Sequence, residues 1–336
     1  MEKDFSPDKK SIDSLEAAEE PPKSAEELVK EFEGREQLPA GELLSFEGVG
    51  DKDVYNITAP FESEGRTYIA GRVEPRSTEH DSQVCFFEEK NGAWLLSPET
   101  PIFNLQDPFV TKIGQELIFG GVETFPHPDA HYSGDLGYRT LFFRGKTLQT
   151  LAHFATGPDI MKNIRILALP DNKILALTRP QSPWVSGGDW GKIGMTILPQ
   201  LEALTATNIL NAKIIEGQFR DKEWGGADEL YFLEDGKIGA LGHIAYEEFS
   251  SDNVRRKHYY AMIFTLELAT NTVSPMRIIA SRKNFPSGPA KRSPELEDIV
   301  FPGGLVRHKN GTTTLYTGLS DTQAGCLTIP RDPFIL

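Results

Sequence analysis

Cysteine and positive charge are both scarce in this 336-residue chain. The two cysteines, Cys85 and Cys326, lie far apart and in no metal-ligand spacing, so we expect two reduced thiols and no metal site. Lys and Arg number 35 against 49 Asp and Glu, which gives a formal net charge of −14. This balance argues against general binding to nucleic acid or to anionic membranes.

Long apolar segments are missing as well. No window reaches the roughly 18 uninterrupted apolar residues of a membrane-spanning helix, and the N-terminal stretch MEKDFSPDKKSIDS lacks the apolar centre of a secretory signal. We therefore expect a soluble, cytoplasmic protein. Hydrophobic residues still make up 39% of the chain and aromatic residues 10%, which is enough for a sizeable core.

The signature loops of several enzyme classes are absent. The sequence contains no Gly-Lys-Ser phosphate loop, no dinucleotide-binding glycine fingerprint, no zinc-protease motif and no nucleophile elbow. These absences weigh against a P-loop hydrolase, a dinucleotide-dependent oxidoreductase and a serine hydrolase. We expect no cofactor.

The first part of the chain differs in texture from the rest. Residues 1–40 are predicted to form a flexible acidic tail with one short helix over 24–33, which Ser24 would cap. From residue 41 onward, short alternating apolar runs such as TYIAGRV, ELIFGGVE and KILALTRP are separated by Gly, Asn, Asp and Pro turns. This pattern predicts an all-β fold. The segment LPQLEALTATNILNA fits either a helical turn or a loop with one strand.

Five segments of the chain share one pattern, in which a polar residue precedes a turn and a "hydrophobic–Gly" strand. Their markers are Asn56, Asp107, Asn163, Asp228 and the Phe301-Pro302-Gly303 turn, spaced by about 50–75 residues. A period of this size with about four strands per unit is typical of a β-propeller. We therefore predict a five-bladed β-propeller over residues 41–336, whose markers converge at one mouth of the central channel.

Asp107, in the stretch NLQDPFV, places a carboxylate at the start of an apolar strand. Burial of a charge is costly unless the charge is paired or used. The ordinary alternative is an Asp that caps the turn before Pro108. The fivefold recurrence favours a side chain that points into a wet, shared central cavity.

Basic residues cluster in the strands and loops of this acidic protein. Lys162 and Arg165 lie in MKNIRI, Arg179 ends the strand of LTRPQ, and Lys291 lies in the loop FPSGPAKRS. Guanidinium and ammonium groups on a preformed surface are the usual phosphate ligands, although a single such residue is more often a solvated charge.

Other polar and aromatic residues complete the candidate site. Trp184, Trp190 and Trp224 lie beside glycines, where they would either grip a sugar or fill core and turn positions. The candidate substrate- and phosphate-binding residues are Asn56, Lys162, Asn163, Arg165, Arg179, Asp228, Glu229, His243, Tyr260, Lys291, Asp298 and Asp321.

Many ordered motifs of the chain resemble one enzyme family. They are NLQDPFV, MKNIRI with LTRPQ, GGDWGKIG, EWGGADELYFL, GALGHIA, HYYAMIF, FPSGPAKR, DIVFPGGLVR and LYTGLSDTQAG. Over roughly residues 42–334 the chain resembles the β-1,2-mannan mannosyltransferase–phosphorylases, which are similar to the five-bladed propeller β-mannoside phosphorylases. In the latter, the Asp of a Glu-Asp-Pro-Arg motif is the general acid. The resemblance implies this role for Asp107, with Gln106 and Phe109 in place of the Glu and Arg.

The inventory of charged residues agrees with phosphorolysis. An inverting hydrolase needs two carboxylates, whereas a phosphorylase needs one acid and cations that hold phosphate. The expected partners are sugars, sugar phosphates and mannooligosaccharides, with inorganic phosphate or GDP-mannose as co-substrate. Two alternatives stay open: an inverting β-mannosidase with Asp228, Glu229 or Asp298 as base, and a non-catalytic carbohydrate-binding propeller.

Overall fold

A computed structural model describes residues 21–35, 39–79, 81–126, 136–181, 190–251, 253–270 and 272–335. Within these ranges the chain is all-β, as the sequence predicts, with strands throughout and two α-helices, α1 (Ala25–Glu33) and α2 (Ala206–Leu210). Neither of these helices has the length and apolar composition needed to cross a membrane.

The first two sheets are formed by the first half of the chain. The six-stranded sheet has the order β2-β7-β6-β5-β3, with β4 also paired to β5. Its strands are β2 (Phe46–Glu47), β3 (Asp53–Tyr55), β4 (Phe61–Ser63), β5 (Arg66–Glu74), β6 (Gln83–Lys90) and β7 (Ala93–Leu96). The next sheet has the order β11-β10-β9-β8. Its strands are β8 (Gln106–Ile113), β9 (Glu116–Pro126), β10 (Leu136–Gly145) and β11 (Ala152–Thr156).

The third sheet has the order β12-β13-β14-β15. Its strands are β12 (Arg165–Ala168), β13 (Ile174–Thr178), β14 (Gly194–Leu198) and β15 (Lys213–Ile214). The connection from β14 to β15 carries a 3₁₀ turn at Leu201–Ala203 and then α2. The segment LPQLEALTATNILNA, for which the sequence left two alternatives, therefore forms helical turns.

The last sheet has nine strands, in the order β1-β23-β22-β21-β18-β17-β16, with β19 and β20 also paired to β18. The strands are β1 (Gly41–Leu43), β16 (Trp224–Phe232), β17 (Ile238–Phe249), β18 (Arg255–Glu267), β19 (Thr272–Val273), β20 (Arg277–Ala280), β21 (Asp298–Arg307), β22 (Thr313–Leu319) and β23 (Gln323–Ile329). Its pairings are antiparallel except for a short parallel contact between β18 and β21. The early strand β1 pairs with the last strand β23, so the two ends of the β-region are joined.

The inner strands of successive sheets contact one another in a closed circuit. β8 packs against β5 on one side and β12 on the other, β12 packs against β16, β16 against β21, and β22 and β23 against β3. The apolar core fills the spaces between neighbouring sheets; for example, the rings of Phe86 in β6 and Phe119 in β9 lie 5.3 Å apart. The contacts therefore run from β3 and β5 through β8, β12, β16 and β21 and back to β3 by way of β22 and β23.

Helix α1 packs on the outside of this body, against β17 and β20. Its N-terminus is a capping box: Ser24 Oγ accepts from the Glu27 amide at 3.1 Å, and the Glu27 carboxylate accepts from the Ser24 amide at 2.7 Å. The helix buries Leu28, Val29 and Phe32 within the same apolar cluster as residues of β17 and β20. The helix predicted over 24–33 is therefore confirmed.

Candidate active site

Asp107 owes its position to a β-bulge in β8. The register of β8 against β9 shifts between Gln106 and Phe109, and Asp107 has a φ of 47°, in the left-handed region. A bulge of this kind re-aims a side chain. The carboxylate Oδ1 accepts hydrogen bonds from Asn56 Nδ2 at 2.8 Å and from Arg72 Nη1 at 3.2 Å.

Similar local geometry recurs at the other markers. Asn56 and Asn163 have φ values of 46° and 57°, and β16 bulges at Asp228. Asn163 Nδ2 donates to Asp228 Oδ1 at 2.7 Å. At the fifth marker, a Cβ atom on Gly303 would lie 1.6 Å from the carbonyl oxygen of Ile57, so only glycine fits there. The structure therefore brings the markers together in two hydrogen-bonded pairs and one close backbone contact.

Asp107 is buried, yet its surroundings favour the charged form. Burial alone would raise its pKa, but the charges of Arg72 and Lys162, together with the hydrogen bonds from Asn56 and Arg72, hold the pKa of Asp107 below its ordinary value. The Asp107 carboxylate is therefore ionised in the protein without a ligand.

Arg72 links Asp107 to a buried charge network. Its Nη2 lies 3.1 Å from each carboxylate oxygen of Glu74. Glu74, which is 0% exposed, also accepts hydrogen bonds from the Tyr55 and Ser82 hydroxyls and from Lys291 Nζ. Lys291, predicted as a phosphate ligand, is thus paired inside the protein. Arg72 and Glu74 were not among the predicted site residues, although the run IAGRVEP places two charges on one face of a strand that is otherwise apolar.

Asp228 organises a second buried group. It is 2% exposed and accepts from Asn163 and from His243 Nδ1, the latter at 2.8 Å. Arg165 Nε donates to the Asp228 carbonyl oxygen at 2.7 Å, and its guanidinium lies 4.2 Å from the Phe109 ring centroid. Arg165 is therefore engaged by protein partners, which differs from the arrangement expected of a phosphate ligand.

Arg179 is 3% exposed and fits between two glycines. Its Nε donates to the Gly225 carbonyl oxygen and its Nη1 to Gln181 Oε1, both at 3.0 Å. A Cβ on Gly191 would lie 2.7 Å from Arg179 Nε, and one on Gly226 would lie 2.8 Å from its Cδ. The two glycines therefore make the space that the guanidinium occupies.

Lys162 lies close enough to Asp107, Arg179 and Arg72 for their charges to act on it. Burial lowers the pKa of Lys162, the negative charge of Asp107 opposes this, and the two arginines lower the pKa further. Across the described ranges, no carboxylate forms an ion pair with Lys162 or with Arg179. Two neighbouring cations that form no ion pair with a carboxylate in the described part of the chain are a favourable place for a bound anion.

An aromatic wall adjoins these cations. The His243 and Tyr259 rings stack at 5.5 Å, Trp224 Nε1 donates to the Tyr259 hydroxyl at 3.0 Å, and Trp190 stacks on Trp224 at 5.0 Å. Burial raises the pKa of Tyr259, whereas the charge of Arg179 lowers it. Trp184, the third predicted aromatic, lies outside the described residues.

Tyr260 points to the other face of β18. Its hydroxyl donates to Asp298 Oδ2 at 2.8 Å, and His258 Nδ1 lies 2.7 Å from the same oxygen. Tyr260 and Asp298, both predicted as ligands, thus contact each other in a separate polar group. The sequence HYYA contains two adjacent tyrosines, and the strand period of two places Tyr259, which the prediction missed, beside His243.

Two further carboxylates have raised pKa values. Burial raises the pKa of Asp321 to about 6, with Arg72 opposing and Asp107 adding to the rise. Burial raises the pKa of Glu229 to about 7. Glu229 accepts from the Leu305 amide at 2.9 Å and from the Tyr231 hydroxyl, so it joins β16 to β21, whereas Asp321 lies with Asp107.

The site thus combines the Asp107 carboxylate, two cations that form no ion pair with a carboxylate among the described residues, and an aromatic wall. Residues 30–335 match the family model described as "Protein of unknown function (DUF1861)", and the chain belongs to that family. A search of curated proteins found no match.

Similar solved structures indicate the class of enzyme more specifically than the family model does. MPT-4, a mannose phosphorylase from Leishmania mexicana in complex with phosphate ion, is 33% identical with a TM-score of 0.83, over 92% of this chain and 93% of that one. MPT-1, a GDP-Man-dependent mannosyltransferase from the same organism, is 32% identical with a TM-score of 0.82, over 93% and 95%. A structure from the GH130 family of mannoside phosphorylases shares the fold at 12% identity and a TM-score of 0.53, over 89% and 97%.

These matches confirm the resemblance to the mannosyltransferase–phosphorylases and the prediction of an enzyme of that class.

Proposed function

We propose that this enzyme makes and phosphorolyses β-mannosidic bonds, with inversion, in a five-bladed β-propeller. The bond is proposed to be β-1,2, and the co-substrate inorganic phosphate or GDP-mannose. The observation that carries the proposal is the position of Lys162, which lies close enough to both Asp107 and Arg179 for their charges to act on it. Among the described residues, no carboxylate forms an ion pair with Lys162 or with Arg179.

The proposed five blades are counted by dividing the nine-stranded sheet at its short parallel contact. There His258 and Tyr259 pair with Asp298 and Ile299, and on either side the strands run antiparallel. The two parts, with the three smaller sheets, give five units, which are antiparallel apart from the short parallel pair of β2 and β7. The pairing of β1 with β23 then closes the ring inside the last unit.

In phosphorolysis, Asp107 gives its proton to the glycosidic oxygen that leaves as an acceptor hydroxyl. A phosphate oxygen attacks the anomeric carbon from the opposite face, and the β-bond is replaced by an α-mannosyl phosphate. In synthesis, Asp107 takes the proton of the acceptor hydroxyl while the phosphoryl group leaves from the donor. The lowered pKa of Asp107 suits its role as the base in synthesis, because the carboxylate is ionised and can accept a proton. A phosphate anion bound beside Lys162 offsets the positive field and so favours the protonated acid.

Asp321 contributes to the mannosyl subsite in this proposal. It follows Ser320 in a turn where both residues have positive φ values, of 51° and 52°, a conformation that costs energy outside glycine. The turn is fixed from outside, because the Ser320 amide donates to the Ile299 carbonyl oxygen and Ser320 Oγ donates to that of Glu297. A carboxylate held in this way is suited to accept hydrogen bonds from sugar hydroxyls.

The named relatives support this assignment, since one is a mannose phosphorylase in complex with phosphate ion and the other uses GDP-mannose. The hydrolase alternative needs a second carboxylate that is free to activate water. Asp228, Glu229 and Asp298, its candidate bases, each accept hydrogen bonds from protein groups, as Asp107 also does, so the phosphate dependence of turnover is what separates the two reactions.

Incubation with β-1,2-mannobiose tests the proposal. We expect mannose 1-phosphate when phosphate is present and no turnover when it is withheld. Free mannose released at the same rate without phosphate would instead identify a hydrolase. Binding without turnover, both with phosphate and with GDP-mannose as donor, would identify a non-catalytic protein.

A further inference from the structure

Two charged residues of β5, Arg72 and Glu74, lie side by side behind Asp107. The strand period of two puts both side chains on one face of β5, while Val73 between them belongs to an apolar cluster. Both charged residues are buried. Burial of a charge is costly unless the charge is paired or used, so each of them needs compensating groups nearby.

Glu74 accepts hydrogen bonds from residues that are distant from one another along the chain. Arg72 Nη2 lies 3.1 Å from each of its carboxylate oxygens, and the Tyr55 hydroxyl, the Ser82 hydroxyl and the Lys291 ammonium group also donate to it. Burial alone would raise the pKa of Glu74, but the charge of Arg72 and the hydrogen bonds from the other three donors hold it below its ordinary value. Glu74 is therefore an ionised carboxylate that contacts two cations.

Arg72 divides its guanidinium between two carboxylates. Nη1 donates to Asp107 Oδ1 at 3.2 Å, and Nη2 donates to Glu74. The guanidinium also lies over the Tyr55 ring, 5.0 Å from its centroid. Glu74 and the ring hold the guanidinium against Asp107. Glu74 also places a negative charge behind this cation, which weakens the positive field that Asp107 experiences.

Lys291 completes this network from the loop that precedes β21. Its Nζ pairs with Glu74 and lies 3.4 Å from the Tyr55 hydroxyl. Its backbone amide donates to the Ser320 carbonyl oxygen at 3.0 Å, and the residue is buried. The ammonium group is therefore directed at Glu74, and it acts on Asp107 by weakening the negative charge that Glu74 presents to Arg72.

Titratable groups from several strands and turns act on Asp107 or are acted on by it. They are Arg72, Lys162, Arg165, Tyr259 and Asp321. Glu74 and Lys291 differ from these groups in position. In the described part of the chain neither of them hydrogen-bonds to Asp107 itself, and Arg72 stands between them and its carboxylate. A change at Glu74 or Lys291 therefore alters the field at Asp107 while its own hydrogen-bond donors remain.

We propose that Glu74 and Lys291 are positioning residues for the proton transfer at Asp107. Glu74 holds Arg72 against the carboxylate and moderates its positive charge, and Lys291 in turn moderates the charge of Glu74. This inference rests on the proposed function, in which Asp107 must serve as acid in phosphorolysis and as base in synthesis. Arg72 alone favours the ionised base, whereas the opposing charge of Glu74 makes the protonated acid easier to form.

The pH dependence of kcat in synthesis tests the proposal. The acceptor is β-1,2-mannobiose, and the donor is mannose 1-phosphate or GDP-mannose, whichever the wild-type enzyme uses. We expect kcat to fall at low pH as Asp107 becomes protonated. Glu74→Gln removes a negative charge, so the midpoint of this fall should move to lower pH. Lys291→Met removes a positive charge, so the midpoint should move to higher pH.

Each of these shifts should be about one pH unit, as expected for a unit charge several ångströms away in a buried site. The double variant Glu74→Gln/Lys291→Met should have nearly the wild-type midpoint, because the two opposite changes cancel. In Lys291→Met, Glu74 keeps Arg72 as its partner, and the double variant contains neither buried charge. These two variants therefore decide the proposal even if Glu74→Gln, with its unpaired buried ammonium group, does not fold.

Asp332→Asn is the matched control. Asp332 is also a buried carboxylate, and its partner Arg307 is the last residue of β21. Its replacement should lower the melting temperature without moving the midpoint of the pH profile. A purely structural role for Glu74 and Lys291 predicts the same result for their variants.

Single variants whose midpoints match the wild type, or that both shift in one direction, would overturn the proposal. An active wild-type enzyme that depends on Asp107 would then leave the proposed function standing. A wild type that is inactive with both donors would overturn both proposals.

Discussion

Replacing Arg179 by Ala should impair phosphate binding more than it impairs folding. Among the described residues, the Arg179 guanidinium donates from Nε to the Gly225 carbonyl oxygen and from Nη1 to Gln181, and its other N–H groups on Nη1 and Nη2 have no further partner there. Its charge also reaches Lys162 and His243, since it lowers the pKa of both. We expect these remaining donors to bind phosphate or the phosphoryl group of the donor.

The magnitude follows from the kind of bond that is lost. A hydrogen bond to a charged group is worth about 1.5–3 kcal/mol, so the phosphate KM should rise about 10- to 150-fold if binding is weakened uniformly. The KM for the mannoside should change much less. The Gly225 carbonyl oxygen loses its donor as well, so a moderate fall in melting temperature should accompany the kinetic change.

Arg165→Ala is the matched comparison. Arg165 is equally buried, at 5% exposure against 3%, but it donates to the carbonyl oxygens of Asp228 and Ile164 and packs on Phe109. Its loss should lower the melting temperature and leave the phosphate KM of the folded protein unchanged. Phosphate titrations of both variants, with thermal melts, decide the matter. Normal phosphate saturation in Arg179→Ala, or equal KM rises in both variants, would refute the assignment.

Three further outcomes are expected. Asp107→Asn should keep the fold and lower turnover by about 10²–10⁴-fold, measured as initial rates in both directions; a loss under threefold would contradict its role. Glu229 has a folded pKa raised to about 7, so its contribution to stability is present below its unfolded pKa near 4.5 and is lost as pH rises toward 7. The urea midpoint of the Glu229→Gln variant should therefore fall less between pH 4.5 and 7 than the wild-type midpoint does. An equal fall in both proteins would count against the raised pKa of Glu229. Phe32→Ala should destabilise the protein by about 3–5 kcal/mol because α1 buries this ring, and an unchanged urea midpoint would show that α1 contributes little.

The periodic features of the sequence predicted more of the fold than of the site. Recurring markers located Asp107, Asn56, Asn163 and Asp228, because a polar residue at a turn before an apolar strand stands out in one dimension. Alternation along the strands predicted the all-β class, and Ser24 with its apolar neighbours predicted α1. These signals are local, so no knowledge of the tertiary arrangement is needed to detect them.

The partners of each charge could not be predicted in this way. Arg165 and Arg179 look alike in sequence, yet one is engaged by Asp228 and the other faces the site, because a bulge and two glycines decide where each side chain lies. Lys291 is paired with Glu74 across 217 residues of chain. Tyr260 and Tyr259 differ only in which face of β18 they occupy. Pairing over such distances depends on how the sheets close, which composition and spacing do not specify.

The most direct measurement follows the anomeric product by NMR while the enzyme acts on β-1,2-mannobiose in phosphate buffer. The proposed function expects α-mannose 1-phosphate as the first product, in equal amount to mannose, with no reaction in phosphate-free buffer and almost none with Asp107→Asn. Free mannose as the first product of both sugar units, formed at the same rate without phosphate, would contradict it.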